Sequence, residues 1–232
     1  MKTHAEKLLK NLEVTPLTLP NGLAHLKATF KTQPVNMYSY AWKSEIFRLV
    51  RMTILLVPGR IETFNFVLYP NYKFVAPVFA SDFVITGTKL RIGMIDWMPI
   101  FPDDVDFKAN WIMPMEEFYI KALEIAPQYD LKLEWSKHFT SKYACMATDI
   151  EEARMPALVN LWEKYLNRYL DKIGTMPPAE LSREEEVKTW HHTYNHAHLN
   201  VENKRNPYMV YFGEQMGKRY NEEFLFSNDF GN

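Results

Sequence analysis

Hydrophobic and polar positions alternate with a period of two through most of the first half of the chain. Leu26, Ala28 and Phe30 alternate with His25, Lys27 and Thr29, for example. A two-residue period is typical of β-strands, because successive side chains point to opposite faces of a sheet. Strands are predicted on this basis over residues 25–30, 38–42, 47–57, 61–69 and 82–97.

Short turn sequences separate these segments. Glycine or proline occurs at positions 20–22, 58–59 and 86–88, and each of these turns predicts a hairpin. Strands joined by hairpins form an antiparallel meander rather than a parallel sheet with crossover helices. In the segment 82–97 the alternation predicts Leu90, Ile92 and Met94 on one face.

The second half of the chain has apolar residues at helical spacing. Helices are predicted over residues 115–125, over a segment that has Pro156 in its first turn and runs to Ile173, where Gly174 stops it, and over a segment that contains Val187, Trp190 and Tyr194. Strands followed by helices indicate the α+β class, with an antiparallel sheet covered by helices. No repeat or low-complexity linker interrupts the chain, so one domain over residues 1–232 is expected.

Composition restricts the possible functions. The 27 basic and 28 acidic residues give a net charge of −1, which provides no global attraction for nucleic acid or an anionic membrane. A single cysteine, Cys145, rules out an intramolecular disulfide and any cluster of cysteine ligands for iron–sulfur or zinc. No apolar run has the length of a membrane span or a signal peptide, so a cytoplasmic protein is expected.

Two polar residues lie inside apolar strands. Alternation puts Asn65 on the face of Val67 and Tyr69, and Asp82 precedes Phe83. Ionisation of a carboxyl in such surroundings costs free energy, and burial would raise its pKa toward the range useful for a general acid. The alternative is that both side chains satisfy backbone groups at a strand end or a bulge.

Several segments, in order, resemble the ferredoxin-dependent bilin reductases. The resemblance covers residues 38 to 226, and its central block is 65–70, 76–84 and Asp96-Trp97-Met98-Pro99. The upstream flanking motif is Tyr40-Ala41-Trp42-Lys43-Ser44-Glu45 together with Arg48 and Arg51. The downstream motifs are Pro102-Asp103-Asp104, Asn203-Lys204-Arg205, Phe212-Gly213 and Phe224-Leu225-Phe226.

The resemblance implies a three-layer α/β/α sandwich that holds biliverdin IXα between the sheet and the C-terminal helices. Reduced [2Fe–2S] ferredoxin would be the external electron donor to a monomer that binds no cofactor of its own. Asp82 matches the family aspartate that protonates the bilin, and Asn65 matches a position where the phycoerythrobilin-type branches often carry asparagine.

The resemblance also bears on the product. Thr53 and Asn65 stand where the phycocyanobilin-forming enzymes have a glutamate and a histidine, so reduction of the D-ring vinyl group is not expected. Reduction at the 15,16 methine bridge is expected instead, continuing at the A-ring diene to phycoerythrobilin. The alternative is an enzyme that stops at 15,16-dihydrobiliverdin.

The sequence departs from the family near its C-terminal helix. Asn203 aligns with a second family aspartate, or Glu202 does if no gap is allowed, and an amide cannot donate a proton as a carboxylic acid can. Lys204 and Arg205 are candidates to pair with the bilin propionates, because cations anchor acidic ligands. His198 is the candidate for a histidine that hydrogen-bonds the bilin.

Other hypotheses remain open at this stage. His192 and His196 are four residues apart and could share a metal on one helix face, but no metalloenzyme motif accompanies them. A non-catalytic bilin carrier or lyase would also need an aromatic pocket and basic anchors. Candidates for docking ferredoxin are Lys43, Lys73, Lys89 and Arg91.

Overall fold

The described residues of the computed structural model, 2–10, 12–129, 138–202 and 207–231, contain one antiparallel sheet of eight strands. The strands are β1 (Thr15–Pro16), β2 (His25–Phe30), β3 (Gln33–Lys43), β4 (Phe47–Val57), β5 (Ile61–Pro70), β6 (Val78–Thr86), β7 (Lys89–Met98) and β8 (Cys145–Glu151). From β3 to β8 each strand pairs with the next one along the chain, as the predicted meander requires.

Two of the three predicted hairpins form. The turns at 58–60 and 87–88 join β4 to β5 and β6 to β7. The turn at 20–22 is not a hairpin, because the two strands that flank it do not pair with each other. Instead β1 and β2 pair with different parts of β3, and the hairpin partner of β2 is β3 itself.

The predicted alternation in β7 is wrong at its start. Arg91 is an extra residue in β7 opposite the 84–85 step of β6, which makes a β-bulge. A bulge shifts the side-chain alternation by one residue. As a result Leu90 is buried in one core, whereas Ile92 and Met94 point to the opposite face of the sheet.

Helices cover both faces of the sheet, which confirms the α/β/α sandwich. The helices are α1 (Lys2–Lys10), α2 (Val105–Phe107), α3 (Glu116–Ile125), α4 (Met155–Gly174), α5 (Leu181–Glu202), α6 (Pro207–Phe212) and α7 (Glu214–Tyr220). π-Helical segments at Lys108–Ile112 and Asn221–Leu225 follow α2 and α7. Within the described ranges, no helix is long and apolar enough to cross a membrane.

The two faces of the sheet bury separate hydrophobic cores. The first core receives Phe64, Phe66 and Leu68 of β5 and is covered by α1 to α4. The second core receives Val67 and Tyr69 of the same strand, and it is covered by residues of α5 and of the segment 208–230. The strand alternation predicted for β5 is therefore confirmed.

The helix α4 shows how local sequence sets the first layer. Pro156 lies in the first turn, where a missing backbone N–H costs nothing, and the helix ends at Gly174. Its buried stripe includes Leu158, Trp162 and Tyr165, as the spacing predicts. Trp162 donates a 3.1 Å hydrogen bond from Nε1 to Ser81 Oγ of β6, which fixes the helix against the sheet.

Candidate active site

A row of polar side chains crosses four strands on the face covered by α5. The register pairs Ser39 of β3 with Thr53 of β4, Thr53 with Asn65 of β5, and Asn65 with Asp82 of β6. Residues directly opposite each other in antiparallel strands have side chains on the same face. The four side chains therefore form a polar line within an otherwise apolar face of the sheet.

Asp82 and Asn65 contact each other in this row. Asn65 donates from Nδ2 to Asp82 Oδ1 at 3.5 Å, and both side chains are only partly exposed. Burial raises the pKa of Asp82 above its usual value, although the hydrogen bond from Asn65 and the charge of Arg51 act in the opposite direction. The net effect of these surroundings on the Asp82 carboxyl is to favour its protonated form.

Both residues lie within regular strand pairing rather than at a strand end or a bulge. The hydrogen bonds that the structure describes for the two side chains go to other side chains, not to the backbone. This arrangement argues against the purely structural role that the sequence left open for Asn65 and Asp82.

Arg51 is a site residue that belongs to the motifs behind the family resemblance but received no role from the sequence. Its Nη1 donates a 2.6 Å hydrogen bond to Asn65 Oδ1, and its guanidinium carbon lies 5.9 Å from the centre of the Tyr69 ring. The side chain is 3% exposed. Apart from that resemblance, the signal in the sequence is a charged residue at the centre of the apolar segment Phe47–Val57. Arg51 orients the Asn65 amide so that its Nδ2 faces Asp82.

One face of α5 supplies the opposite wall. Tyr194, His198 and Glu202 are spaced four residues apart, so they lie along one side of the helix. His198 Nδ1 lies 3.0 Å from the Tyr194 carbonyl oxygen and therefore carries the ring proton. The imidazole stacks on Phe226 with 5.1 Å between ring centres. Burial lowers the pKa of His198 to about 4, so the ring is neutral at neutral pH.

Glu202 brings a second carboxyl to the site. Burial and, to a smaller extent, the negative charge of Asp82 raise the pKa of Glu202 to about 7, while the charge of Arg51 opposes the shift. The two carboxyls are therefore close enough to interact electrostatically across the space between the sheet and α5. Asn203, Lys204 and Arg205 lie outside the described residues.

The phenol of Tyr220 links α7 to the polar row. Its hydroxyl lies 2.7 Å from Ser39 Oγ and 2.8 Å from Thr53 Oγ1, and all three residues are buried. Burial raises the pKa of Tyr220 to about 12, so the hydroxyl stays protonated. This network positions the C-terminal helices over Asn65 and Asp82.

Replacing Tyr220 by phenylalanine is expected to lower the free energy of unfolding by about 1–3 kcal/mol, because the hydroxyls of Ser39 and Thr53 lose a buried partner. Equilibrium urea unfolding measures the difference. Tyr211→Phe is the control, since Tyr211 is only partly buried and its ring contacts Phe30 rather than this network. Equal stability of the Tyr220 and Tyr211 variants would show that the network does not contribute to the free energy of unfolding.

The remaining sequence candidates do not converge on this site. Within the described ranges, no group of three or more histidine, cysteine or acidic side chains could hold a metal, and His196 is exposed. Cys145 is buried, and burial raises its pKa to about 12, so it is not an activated nucleophile.

The four candidate ferredoxin contacts lie at opposite ends of the sheet. Lys43 ends β3 next to the segment that contains Lys73, and Lys73 forms an ion pair with Glu45. Lys89 and Arg91 lie at the start of β7 and pair with Glu151 and Asp149 of β8. One docking surface cannot contain all four.

Two carboxyls with raised pKa values beside a buried arginine are typical of an enzyme that donates protons to a bound ligand. Comparison with known proteins agrees with that class. The model of the ferredoxin-dependent bilin reductase family matches residues 2–227, and the chain belongs to this family. It is therefore an oxidoreductase that acts on bilins with ferredoxin as electron donor, and the carrier or lyase hypothesis is set aside.

Two curated relatives cover nearly the whole chain. The 15,16-dihydrobiliverdin:ferredoxin oxidoreductase of Nostoc punctiforme is 22% identical over 96% of this chain and 91% of its own length. The phycoerythrobilin:ferredoxin oxidoreductase of Gloeobacter violaceus is 25% identical over 94% of this chain and 90% of its own length. These two names describe different reactions, so family membership does not fix the product.

The fold has a match among solved structures. Phytochromobilin synthase from tomato, solved in complex with biliverdin, superposes with a TM-score of 0.82 over 98% of this chain and 81% of its own chain, at 16% identity. At that identity the match concerns the fold, and it confirms the α+β sandwich inferred from the sequence.

Proposed function

We propose that the protein reduces biliverdin IXα at the 15,16 methine bridge and then at the A-ring diene, which yields phycoerythrobilin. Each reduction adds two electrons from ferredoxin and two protons to the bilin. The observation that carries the proposal is the pair of protonatable carboxyls, Asp82 and Glu202, which lie on opposite walls of one site. The second candidate is an enzyme that stops at 15,16-dihydrobiliverdin, as the name of the Nostoc relative describes.

Asp82 is the proposed proton donor for the first reduction. Burial favours its protonated form, and Asn65 holds the carboxyl through a hydrogen bond that Arg51 in turn fixes. Once Asp82 has given up its proton, the positive charge of Arg51 stabilises the carboxylate that remains. The carboxyl can then take up a proton from water before the next step.

Glu202 is the proposed proton donor for the A-ring step. Of the two residues that align with the second family aspartate, Glu202 is a carboxylic acid and Asn203 is an amide that cannot replace it. A pKa of about 7 leaves a large fraction of Glu202 protonated at neutral pH. This supports the four-electron route, which the sequence alone left in doubt.

The environment of Thr53 supports the absence of D-ring vinyl reduction. The Thr53 hydroxyl is buried and lies within hydrogen-bond distance of the Tyr220 hydroxyl. Neither group is acidic, since burial raises the pKa of Tyr220 to about 12. The family glutamate that acts at this position therefore has no counterpart in Thr53.

We also propose anchors for the substrate. Asn65 and His198 border the acid pair and can hydrogen-bond the pyrrole and lactam groups of the bilin, and Lys204 and Arg205 follow the end of α5, where they would pair with its propionates. The proposed donor is a [2Fe–2S] ferredoxin, and the proposed unit is a monomer with one domain over residues 1–232.

Anaerobic incubation with biliverdin IXα, ferredoxin, ferredoxin reductase and NADPH tests the reaction. Absorption spectra follow the turnover, and chromatography against authentic standards identifies the product. We expect transient 15,16-dihydrobiliverdin and final phycoerythrobilin. Phycocyanobilin as product would contradict the assignment of Thr53, and 15,16-dihydrobiliverdin that persists after repeated additions of donor would favour the two-electron candidate.

A further inference from the structure

Arg48 is a buried cation outside the proposed active site. It lies at a β-bulge in β4, where Phe47 pairs with Pro70 and Leu49 pairs with Tyr69. A bulge re-aims side chains, and here it directs Arg48 toward α5. The guanidinium carbon lies 4.8 Å from the centre of the Tyr69 ring and 5.0 Å from that of Tyr72, and the residue is 5% exposed.

The guanidinium of Arg48 lacks acceptors for most of its protons. Its Nε donates to His191 Nδ1 at 3.3 Å, but Nη1 and Nη2 have no hydrogen-bond partner in the part of the chain that the structure describes. No carboxylate in those residues forms an ion pair with Arg48. Burial of a charge without a counterion costs free energy, and a bound anion would lower that cost.

Neighbouring groups add further donors. The Tyr72 hydroxyl is buried and has no partner among the described residues. His191 accepts the Arg48 hydrogen bond at Nδ1, so its ring proton is on Nε2, which is also buried without an acceptor in those residues. Donors outnumber acceptors around Arg48, as expected for a site that receives an oxyanion.

A groove of about 630 Å³ lies against this position. Arg48 and Tyr72 are part of its lining. Charged residues of both signs line it as well, and they are Lys43, Lys188, Glu13 and Glu45. Glu45 pairs with Lys73 at 3.4 Å, which leaves less negative charge to oppose an entering anion. The groove admits a group the size of a carboxylate or a phosphate.

We propose that this groove contains an oxyanion-binding site in which Arg48 pairs with a carboxylate or phosphate group and Tyr72 donates a further hydrogen bond. Buried Tyr69 contacts the guanidiniums of both Arg48 and Arg51, so it lies between this site and the polar row that contains Asp82. The site is therefore separate from the proposed proton donors, and it does not rest on the proposed function.

Inorganic phosphate and acetate are the probes for a first test at constant ionic strength. We expect each anion to raise the thermal midpoint of the wild-type protein, because a ligand that binds only the folded state stabilises it. Arg48→Met should abolish the rise and should be at least as stable as the wild type without the anion, since an unpaired buried charge is removed. Arg91→Met is the control, because it removes a surface cation at the other end of the sheet.

Calorimetric titration with phosphate tests the second donor. Tyr72→Phe keeps the ring that packs on Arg48 but removes the hydroxyl, and we expect phosphate affinity to fall several-fold. For Arg48→Met the loss should be roughly tenfold or more. Equal phosphate affinity in the wild type and Arg48→Met, or no stabilisation of the wild type beyond that of the ionic-strength control, overturns the proposal.

Steady-state kinetics identify the source of the anion. If ferredoxin presents a carboxylate to the groove, Arg48→Met raises the KM for ferredoxin, phosphate inhibits the wild type competitively against ferredoxin, and biliverdin affinity does not change. An unchanged KM for ferredoxin together with lost phosphate binding identifies a free anion as the ligand. Both results support the site, whereas a specific loss of biliverdin affinity would assign Arg48 to the substrate pocket and contradict the separation drawn here.

Discussion

Asp82→Asn is expected to bind biliverdin with near wild-type affinity but to reduce it at least about a hundredfold more slowly, which is the usual scale of general acid catalysis. The amide keeps the size of the side chain and can still accept the hydrogen bond from Asn65. It cannot supply the proton that neutralises the bilin as electrons arrive. Electrons from ferredoxin should therefore produce a bilin radical that accumulates, and electron paramagnetic resonance under anaerobic conditions detects it.

Asp104→Asn is the matched control for Asp82→Asn. Asp104 has the same carboxyl side chain, but it caps α2 beside the first core and pairs with Arg183. It should leave bilin turnover unchanged and reduce only stability. Wild-type turnover by Asp82→Asn would show that the first proton comes from another group, and loss of biliverdin binding would show that Asp82 holds the substrate rather than protonating it.

The placement of Asn65 and Asp82 in one row can be predicted from the sequence, because it depends on strand alternation and on the pairing of strands that follow each other in the chain. Alternation placed Asn65 on the face of Val67 and Tyr69, and the antiparallel meander brings β4, β5 and β6 side by side in order. The same rule failed in β7, where one extra residue at Arg91 reversed the face of Leu90. Bulges of this kind depend on packing around the strand, and alternation alone does not reveal them.

The rest of the site depends on contacts between distant parts of the chain. No local sequence motif assigns a role to Arg51. Its role becomes evident only in the folded chain, where Asn65 and Tyr69 lie beside it. Likewise, alignment left Asn203 and Glu202 as alternatives, and the electrostatic interaction of Glu202 with Asp82 becomes evident only in the folded chain. The rotation of α5 over the sheet, which the sequence does not encode locally, decides which of its residues face the site.

The electrostatic interaction between Glu202 and Asp82 leads to a prediction for Glu202 with a definite pH dependence. The pKa of Glu202 is raised to about 7 in the folded protein, so the proton is present below pH 7 and is lost as the pH rises through 7. If the protonated carboxyl donates to the A-ring, kcat/KM for 15,16-dihydrobiliverdin should fall as the pH rises above about 7. Among the described residues, Asp82, Arg51 and the phenols of Tyr194 and Tyr208 interact electrostatically with Glu202.

Glu202→Gln should remove the decline near pH 7 and slow the A-ring reduction by roughly a hundredfold or more, because a glutamine amide is not a proton donor at these pH values. With biliverdin as substrate, the variant should therefore accumulate 15,16-dihydrobiliverdin. Glu202→Asp should restore part of the activity, and Glu214→Gln, an exposed change on α7, should alter neither product nor profile. If Glu202→Gln still forms phycoerythrobilin at the wild-type rate with the decline near pH 7 intact, the second proton comes from a different group, and Asp82, reprotonated from water, becomes the donor for both reductions.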